Sequence, residues 1–225
     1  MIKTILRSLL PAAVLVGIAF APGAGQAAPA TETRSVPEFT AIAASGSVNV
    51  SVTQGPVTSV QITADDKDLP NIETVVESGR RGPTLQIRIK REGSGWGWGK
   101  GHQSGPVNVV IVTPRLTGLA SAGSGDLRVG ALQTPSLQLS LSGSGNASLA
   151  GLSTDELGVN IAGSGDVNAD GRAGKLSVSI AGSGDAVVQA QKTLSVSIAG
   201  SGDVVYSGEA TVKSSVAGSG SVKKR

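Results

Sequence analysis

The tetrapeptide Gly-Ser-Gly-(Asp/Asn/Ser) begins at Gly123, Gly143, Gly163, Gly182, Gly200 and Gly218, at successive spacings of 20, 20, 19, 18 and 18 residues. Few folds accept one turn recurring at so nearly constant an interval. The turn must return to equivalent positions in space, unit after unit. Two units share the decapeptide LSVSIAGSGD letter for letter, over residues 176–185 and 194–203. A weaker copy, AASGSV, occupies residues 43–48. Ahead of the turns the aliphatic residues alternate: Leu137, Leu139, Leu141; Leu157, Val159, Ile161; Leu176, Val178, Ile180; Leu194, Val196, Ile198. Small or polar residues such as Ser177, Ser179, Ser195 and Ser197 lie between them. Period two puts one face of a strand inward and the other outward.

Two all-β arrangements fit this pattern. In an antiparallel meander each Gly-Ser-Gly-Asp is a hairpin loop. In a right-handed β-helix-like solenoid each unit of about 18–20 residues is one coil. The solenoid is the expected fold, because a meander gives no reason for one turn to recur in phase while the opposite connections vary. Coils would stack at about 4.8 Å and bury a continuous aliphatic ladder, each buried aliphatic contributing about 1.5–3 kcal/mol before chain entropy is subtracted. The paired glycines Gly123 and Gly125, Gly143 and Gly145, Gly163 and Gly165, Gly182 and Gly184, Gly200 and Gly202, and Gly218 and Gly220 then serve as corner formers. They permit positive φ or close backbone approach. Aromatic content agrees, since beyond residue 30 only Phe39, Trp96, Trp98 and Tyr206 remain. A core so poor in aromatics suits a thin, regular cross-section. The final unit, with Ser214 at an inward position and Ser221 in place of Asp, reads as a terminal coil.

The first residues read as an export signal covering 1–27: Lys3 and Arg7 lead, an apolar run of about a dozen residues follows, and small residues close it. That run is short of the roughly 20 residues a spanning helix needs, and no later stretch resembles a transmembrane segment. Residues 28–35 are expected to form a short linker, 36–222 one β-solenoid domain, and 223–225 a solvated, frayed basic tail. Strand-like runs at 48–52, 57–63, 85–90 and 107–112 belong to the domain's less regular first half. With no cysteine the chain has neither a disulfide framework nor a lipobox anchor. Periplasm or cell exterior is the expected location. Removal of Lys3 and Arg7 takes 19 basic residues to 17 against 16 acidic ones, a net of +1. No nucleic-acid footprint is present.

Asp166, Asp185 and Asp203 fall at one turn position in consecutive units, preceded by Asn146 and Asp126. Stacked carboxylates repel by roughly 1 kcal/mol in water and several-fold more where screening is poor. Two reliefs are open: each carboxylate accepts hydrogen bonds from turn amides, or the row binds Ca²⁺, which takes carboxylate and carbonyl oxygens. No other cofactor is expected. Trp96 and Trp98 sit in the glycine-rich insertion EGSGWGWGKGHQSG, either folded over an uncapped apolar edge or exposed to stack on a glycan or anchor a protein partner. His102, the one histidine, reads as a loop residue, since a lone histidine makes no metal site. Catalytic residues are not assigned, because the usual nucleophile and base pairs would depend wholly on His102.

The segments FTAIAASGSVNVSVTQG, LQIRIK and VNVVIVTPRLTGLASAGSGD, followed by the serial GSGD turns, resemble the head GIN domain family, whose members carry the description auto-transporter adhesin. The resemblance covers nearly the whole chain beyond the signal. It implies an exported right-handed β-helix-like protein of the cell envelope with no established activity. The chain shows no series of ten-residue alternating strands with aromatic girdles, as a translocator barrel requires. The expected function is non-enzymatic binding or adhesion through an extended serine-lined surface. The alternatives are a structural protein that self-associates through its solenoid edges and a calcium-dependent repeat fold.

Overall fold

The computed structural model describes residues 29–79, 82–90 and 105–225. Alternating aliphatics make strands throughout, and turns cut them where Gly, Pro, Asp or Asn interrupts the alternation. In chain order the first half holds β1 (Pro29–Arg34), β2 (Ala41–Gly46), β3 (Val48–Gln54), β4 (Ser59–Asp65), β5 (Ile72–Gly79), β6 (Gly82–Ile89), β7 (Val107–Thr113), β8 (Gly118–Gly123) and β9 (Leu127–Val129). A single 3₁₀ turn, Leu69–Asn71, precedes β5. The repeats supply β10 (Leu132–Gly143), β11 (Ala147–Gly163), β12 (Val167–Gly182), β13 (Ala186–Gly200), β14 (Val204–Ser207), β15 (Thr211–Gly218) and β16 (Val222–Lys224).

These strands stack into a β-solenoid of about five turns. The long strands β11, β12 and β13 each bend across two faces of the coil. One face runs β5-β6-β2-β8-β10-β11-β12-β13-β15, and the other runs β1-β4-β7-β3-β9-β11-β12-β13-β14-β16. Pairing between repeats is parallel and in register: Leu137 lies beside Leu157, Leu157 beside Leu176, Leu176 beside Leu194 and Leu194 beside Val212. Parallel pairing rules out the meander, whose neighbours would be antiparallel. The coils shorten without losing this register. Irregularities between Leu149 and Leu152, and between Ala169 and Lys175, absorb the change from 20 residues to 18. Both lie beside the buried Leu149, Leu152, Ala169 and Ala173, but away from the Leu157, Val159 and Ile161 columns and the glycine corner, whose register they leave intact.

The first half is stacked out of sequence order. β2 and β3 sit between the β6/β7 coil and the β8/β9 coil. Three antiparallel pairings close the same end: β1 on β4, β4 on β7 and β5 on β6. Leu69 and Ile72 are buried at that end, and Phe39, just before β2, joins the same core. The other described buried hydrophobics are Val, Leu, Ile and Ala, with Phe39 the one aromatic among them, and Thr113, Ser121, Thr134 and Thr154 are buried beside them.

Three boundaries differ from the sequence reading. Residues 29–34 of the expected linker form β1, which pairs along its length with β4. The run expected at 57–63 starts later, because β4 begins at Ser59 and Val57 is 72% exposed on the preceding turn. The basic tail is not frayed. Lys223 and Lys224 belong to β16, whose Val222 lies beside Val204, and the Arg225 amide donates to the Tyr206 carbonyl. The edge of a parallel sheet offers unpaired amides and carbonyls to whatever chain follows, and that holds these residues in place.

Candidate functional site

Each corner begins with a glycine in the left-handed half of φ space, as at Gly182 with φ +138°. A β-carbon there would lie 2.2 Å from the carbonyl oxygen of Gly163 in the preceding coil. At Gly184 the constraint is separation alone, since a β-carbon would lie 2.2 Å from the Gly165 oxygen. The two glycines thus let the corners nest at the strand spacing. Within the nest the Ser183 amide donates to the Gly163 carbonyl at 2.9 Å, and the other repeat corners are tied in the same way.

The residue after the second glycine makes a ladder between coils. Asn146 N donates to Asp126 Oδ1 (3.1 Å), Asp166 N to Asn146 Oδ1 (3.0 Å) and Asp185 N to Asp166 Oδ1 (2.9 Å). Asp203 N donates to Asp185 Oδ1 (2.7 Å), and Ser221 N to Asp203 Oδ1 (2.8 Å). In return the main-chain carbonyl of each later residue accepts the amide one position beyond the ladder residue of the earlier coil, as in Val167 N to Asp185 O at 2.8 Å. Each side chain therefore serves the next coil rather than its own turn. The ladder starts at Asn49, whose Oδ1 accepts the Asp126 amide at 3.0 Å. The sequence reading started the row at Asp126. Asn49 carries the same signal, standing three residues after Gly46 as Asp126 stands three after Gly123.

Charge along the row is offset locally. Asp126 pairs with Arg128 at 3.1 Å, and Asn146 interrupts the carboxylates. At the far end the Ser221 hydroxyl and amide, assisted by Lys223, hold the Asp203 carboxyl below the ordinary carboxylate range. Beside the ladder runs a groove of about 410 Å³ lined by Asp126, Asn146, Asp166, Asp185, Asn168 and Arg128, among others. Among the described residues no group of three or more His, Cys, Asp or Glu is placed to hold a metal ion.

The ladder predicts how substitutions behave. Asp185→Ala removes the acceptor for the Asp203 amide and is expected to cost about 1–2 kcal/mol. Asp185→Asn keeps an acceptor oxygen, as Asn49 and Asn146 do naturally, and is expected to stay within about 0.5 kcal/mol of the parent. Thermal melts in millimolar calcium and in chelator read both variants. Calcium binding by the row would instead make Asp185→Asn destabilising in calcium alone.

A second feature is the outward face of β10–β15. Parallel register aligns Ser140, Asn160, Ser179, Ser197 and Ser215 in one row, and Gln138, Gly158, Ser177, Ser195 and Lys213 in the next. Ala162, Ala181, Ala199 and Ala217 form a third. Most of these side chains are exposed; Gln138 lies over Gly158 at one end and Lys213 stands at the other, and between them the face is a flat plane of hydroxyls, methyls and the Asn160 amide. Toward the capped end it passes into a depression of about 360 Å³ lined by Ala41, Ala43, Thr84, Gly118, Ala120 and Ser140, among others. Arg88 marks the end of this sheet. It bridges Glu73 (2.9 Å) and Glu77 (3.1 Å) across β5 and β6, and the hydrogen bond and charge of Glu73 raise its pKa above the ordinary value.

Trp96, Trp98 and His102 lie outside the described residues. In the sequence their segment lies between β6 and β7. Among the described residues no helix is long and apolar enough to cross a membrane.

The family described as "Putative auto-transporter adhesin, head GIN domain" matches residues 38–224. Crystal structures share the fold. One, of "a putative adhesin" from Bacteroides fragilis NCTC 9343, is 24% identical, covers 88% of this chain and 97% of that one, and superposes with a TM-score of 0.68. A "putative lipid binding protein" from Parabacteroides distasonis ATCC 8503 is 22% identical over 89% of this chain and 98% of that one, with a TM-score of 0.60. A "putative adhesin" from the same strain is 20% identical over the same shares, with a TM-score of 0.55. No curated protein matches the sequence.

Proposed function

The chain belongs to the head GIN domain family, and from that premise we propose that it is an exported, non-enzymatic adhesion protein of the cell envelope that binds through the hydroxyl plane of its repeat coils. The observation that carries this reading is the in-register outward array of Ser177, Ser179, Ser195 and Ser197 with Asn160. Short side chains on a paired sheet lose little rotamer freedom on contact, so a flat ligand can be engaged at low entropic cost. Their regular spacing suits a repeating polymer such as a surface glycan. Neighbouring groups on the plane are hydroxyls, an amide and alanine methyls, which supports binding rather than nucleophilic chemistry. The N-terminal pattern of Lys3, Arg7 and the apolar run supports delivery to the periplasm or cell exterior.

The test is retention on immobilised envelope polysaccharide. Ser179→Arg with Ser197→Arg adds bulk and charge to exposed positions and should leave the melt nearly unchanged, while retention falls about tenfold or more. Equal retention of parent and variant would overturn the reading. Trp96→Ala with Trp98→Ala, assayed in parallel, reports whether that segment contributes.

A further inference from the structure

The two ends of the solenoid are unlike. One is closed by the antiparallel strands β1 and β5. At the other, β15 pairs only with β13 and β16 only with β14 among the described residues. On β15, Val212, Ser214 and Val216 continue the inward columns of Leu194, Val196 and Ile198. Nothing described lies beyond them, and Val216 is 40% exposed. An edge strand in this state is a template for another strand.

We propose that this edge receives a second copy of the same chain, head to tail, with β15 of one molecule pairing with β5 of the next. Three observations point to that occupant. Both strands are eight residues long and end the same face of the solenoid. β15 runs with the coils and β5 against them, so stacked copies meet as an antiparallel pair. Full-length antiparallel pairing sets Thr211 beside Gly79 and Gly218 beside Ile72. Inward Ser214 then meets Val76 and inward Val216 meets Thr74, residues that lie beside the buried Leu85 and Ile87. On the outer side Lys213 meets Glu77.

Charge favours this arrangement over its rivals. Beyond Gly208 the open end carries Lys213, Lys223, Lys224 and Arg225 against Glu209, whereas at the capped end Glu32, Glu73 and Glu77 pair with Arg34, Arg88 and Lys90, and the β4–β5 connection adds Asp65, Asp66 and Asp68 against Lys67, which leaves that end acidic. Two open ends meeting face to face would bring like charges together. Opposite ends attract, and because the contact is heterologous it does not close on itself. A short filament would display the hydroxyl plane repeatedly, although the assembly is inferred independently of what that plane binds.

The test is sedimentation of the full chain, with processing left to the producing cell, at about 20 mM salt, where surface charges are poorly screened. The expected result is an average mass that rises with protein concentration past two copies. Lys213→Glu and Glu77→Lys should each weaken association about tenfold or more, and mixing the two variants should restore it, because each then offers the charge the other lacks. Melts accompany both. Lys213 is exposed, so Lys213→Glu carries the test alone if loss of the Arg88 bridge destabilises Glu77→Lys. A parent that stays monomeric, assembly that stops at two copies, or association indifferent to both variants would overturn the proposal.

Discussion

Gly182→Ala is expected to lower the thermal midpoint by roughly 6–12 °C, corresponding to about 3 kcal/mol or more for a chain of this size. Two costs combine. A non-glycine residue held in the left-handed half of φ space is strained by about 1–3 kcal/mol, and Gly182 sits at φ +138°. The added carbon must also move away from the Gly163 oxygen, which it would otherwise meet at 2.2 Å. Moving it separates the coils at the corner and lengthens the Ser183 to Gly163 hydrogen bond. Gly184→Ala separates these costs, because it meets the Gly165 oxygen at 2.2 Å without the positive φ. It should therefore destabilise less than Gly182→Ala. Ala181→Ser, outward and exposed one residue earlier, should be nearly silent. A Gly182→Ala midpoint within about 2 °C of the parent would mean that the corners do not nest this closely.

Much of this architecture was legible because the repeat makes one local rule apply many times. The alternation Leu176, Val178, Ile180 fixes which face is buried, and its return at Leu194, Val196, Ile198 fixes the coil length. Both appear as parallel, in-register columns. Direction of pairing was harder to read from composition, since hairpin loops and coil corners use the same residues. The phase of the repeat decided it.

What stayed hidden is non-local. Nothing between residues 36 and 126 shows that β2 and β3 are sandwiched between coils formed later in the chain, because that order depends on which edges remain free once the cap has closed. β1 was hidden for the same reason: PATETR has little strand character alone and becomes a strand by pairing with β4. The Asp row was visible as a pattern, and its acceptor role was expected of turn amides. The sequence did not show that the amide belongs to the next coil. That distinction gives the row its consequence, since a side chain that serves its own turn stabilises one corner, while one that reaches the next coil couples neighbours along the whole axis.

Such coupling holds neighbouring coils in register, which the proposed engagement of an extended ligand would require. It also makes the molecule divisible in one way and indivisible in another. Residues 176–193 are one complete coil, and removing them joins Lys175 to Leu194, which already follows a lysine and threonine pair in the same register. Stability in a solenoid is a sum of coils and the interfaces between them. Loss of one whole unit should therefore leave a cooperative fold. Removing residues 176–184 instead deletes one buried face and one glycine corner while leaving two return segments, 167–169 and 186–188, with no face between them, so the two compete for one place in the stack and the coil cannot close in register.

The most direct measurement is therefore the thermal unfolding of these two deletions, followed by far-ultraviolet circular dichroism. The whole-coil deletion is expected to keep the β signal and a single transition within roughly 10 °C of the parent, while the half-coil deletion loses the cooperative transition. If the half-coil deletion melts as cooperatively as the whole-coil one, or if the whole-coil deletion is unfolded, the chain is not a stack of interchangeable coils.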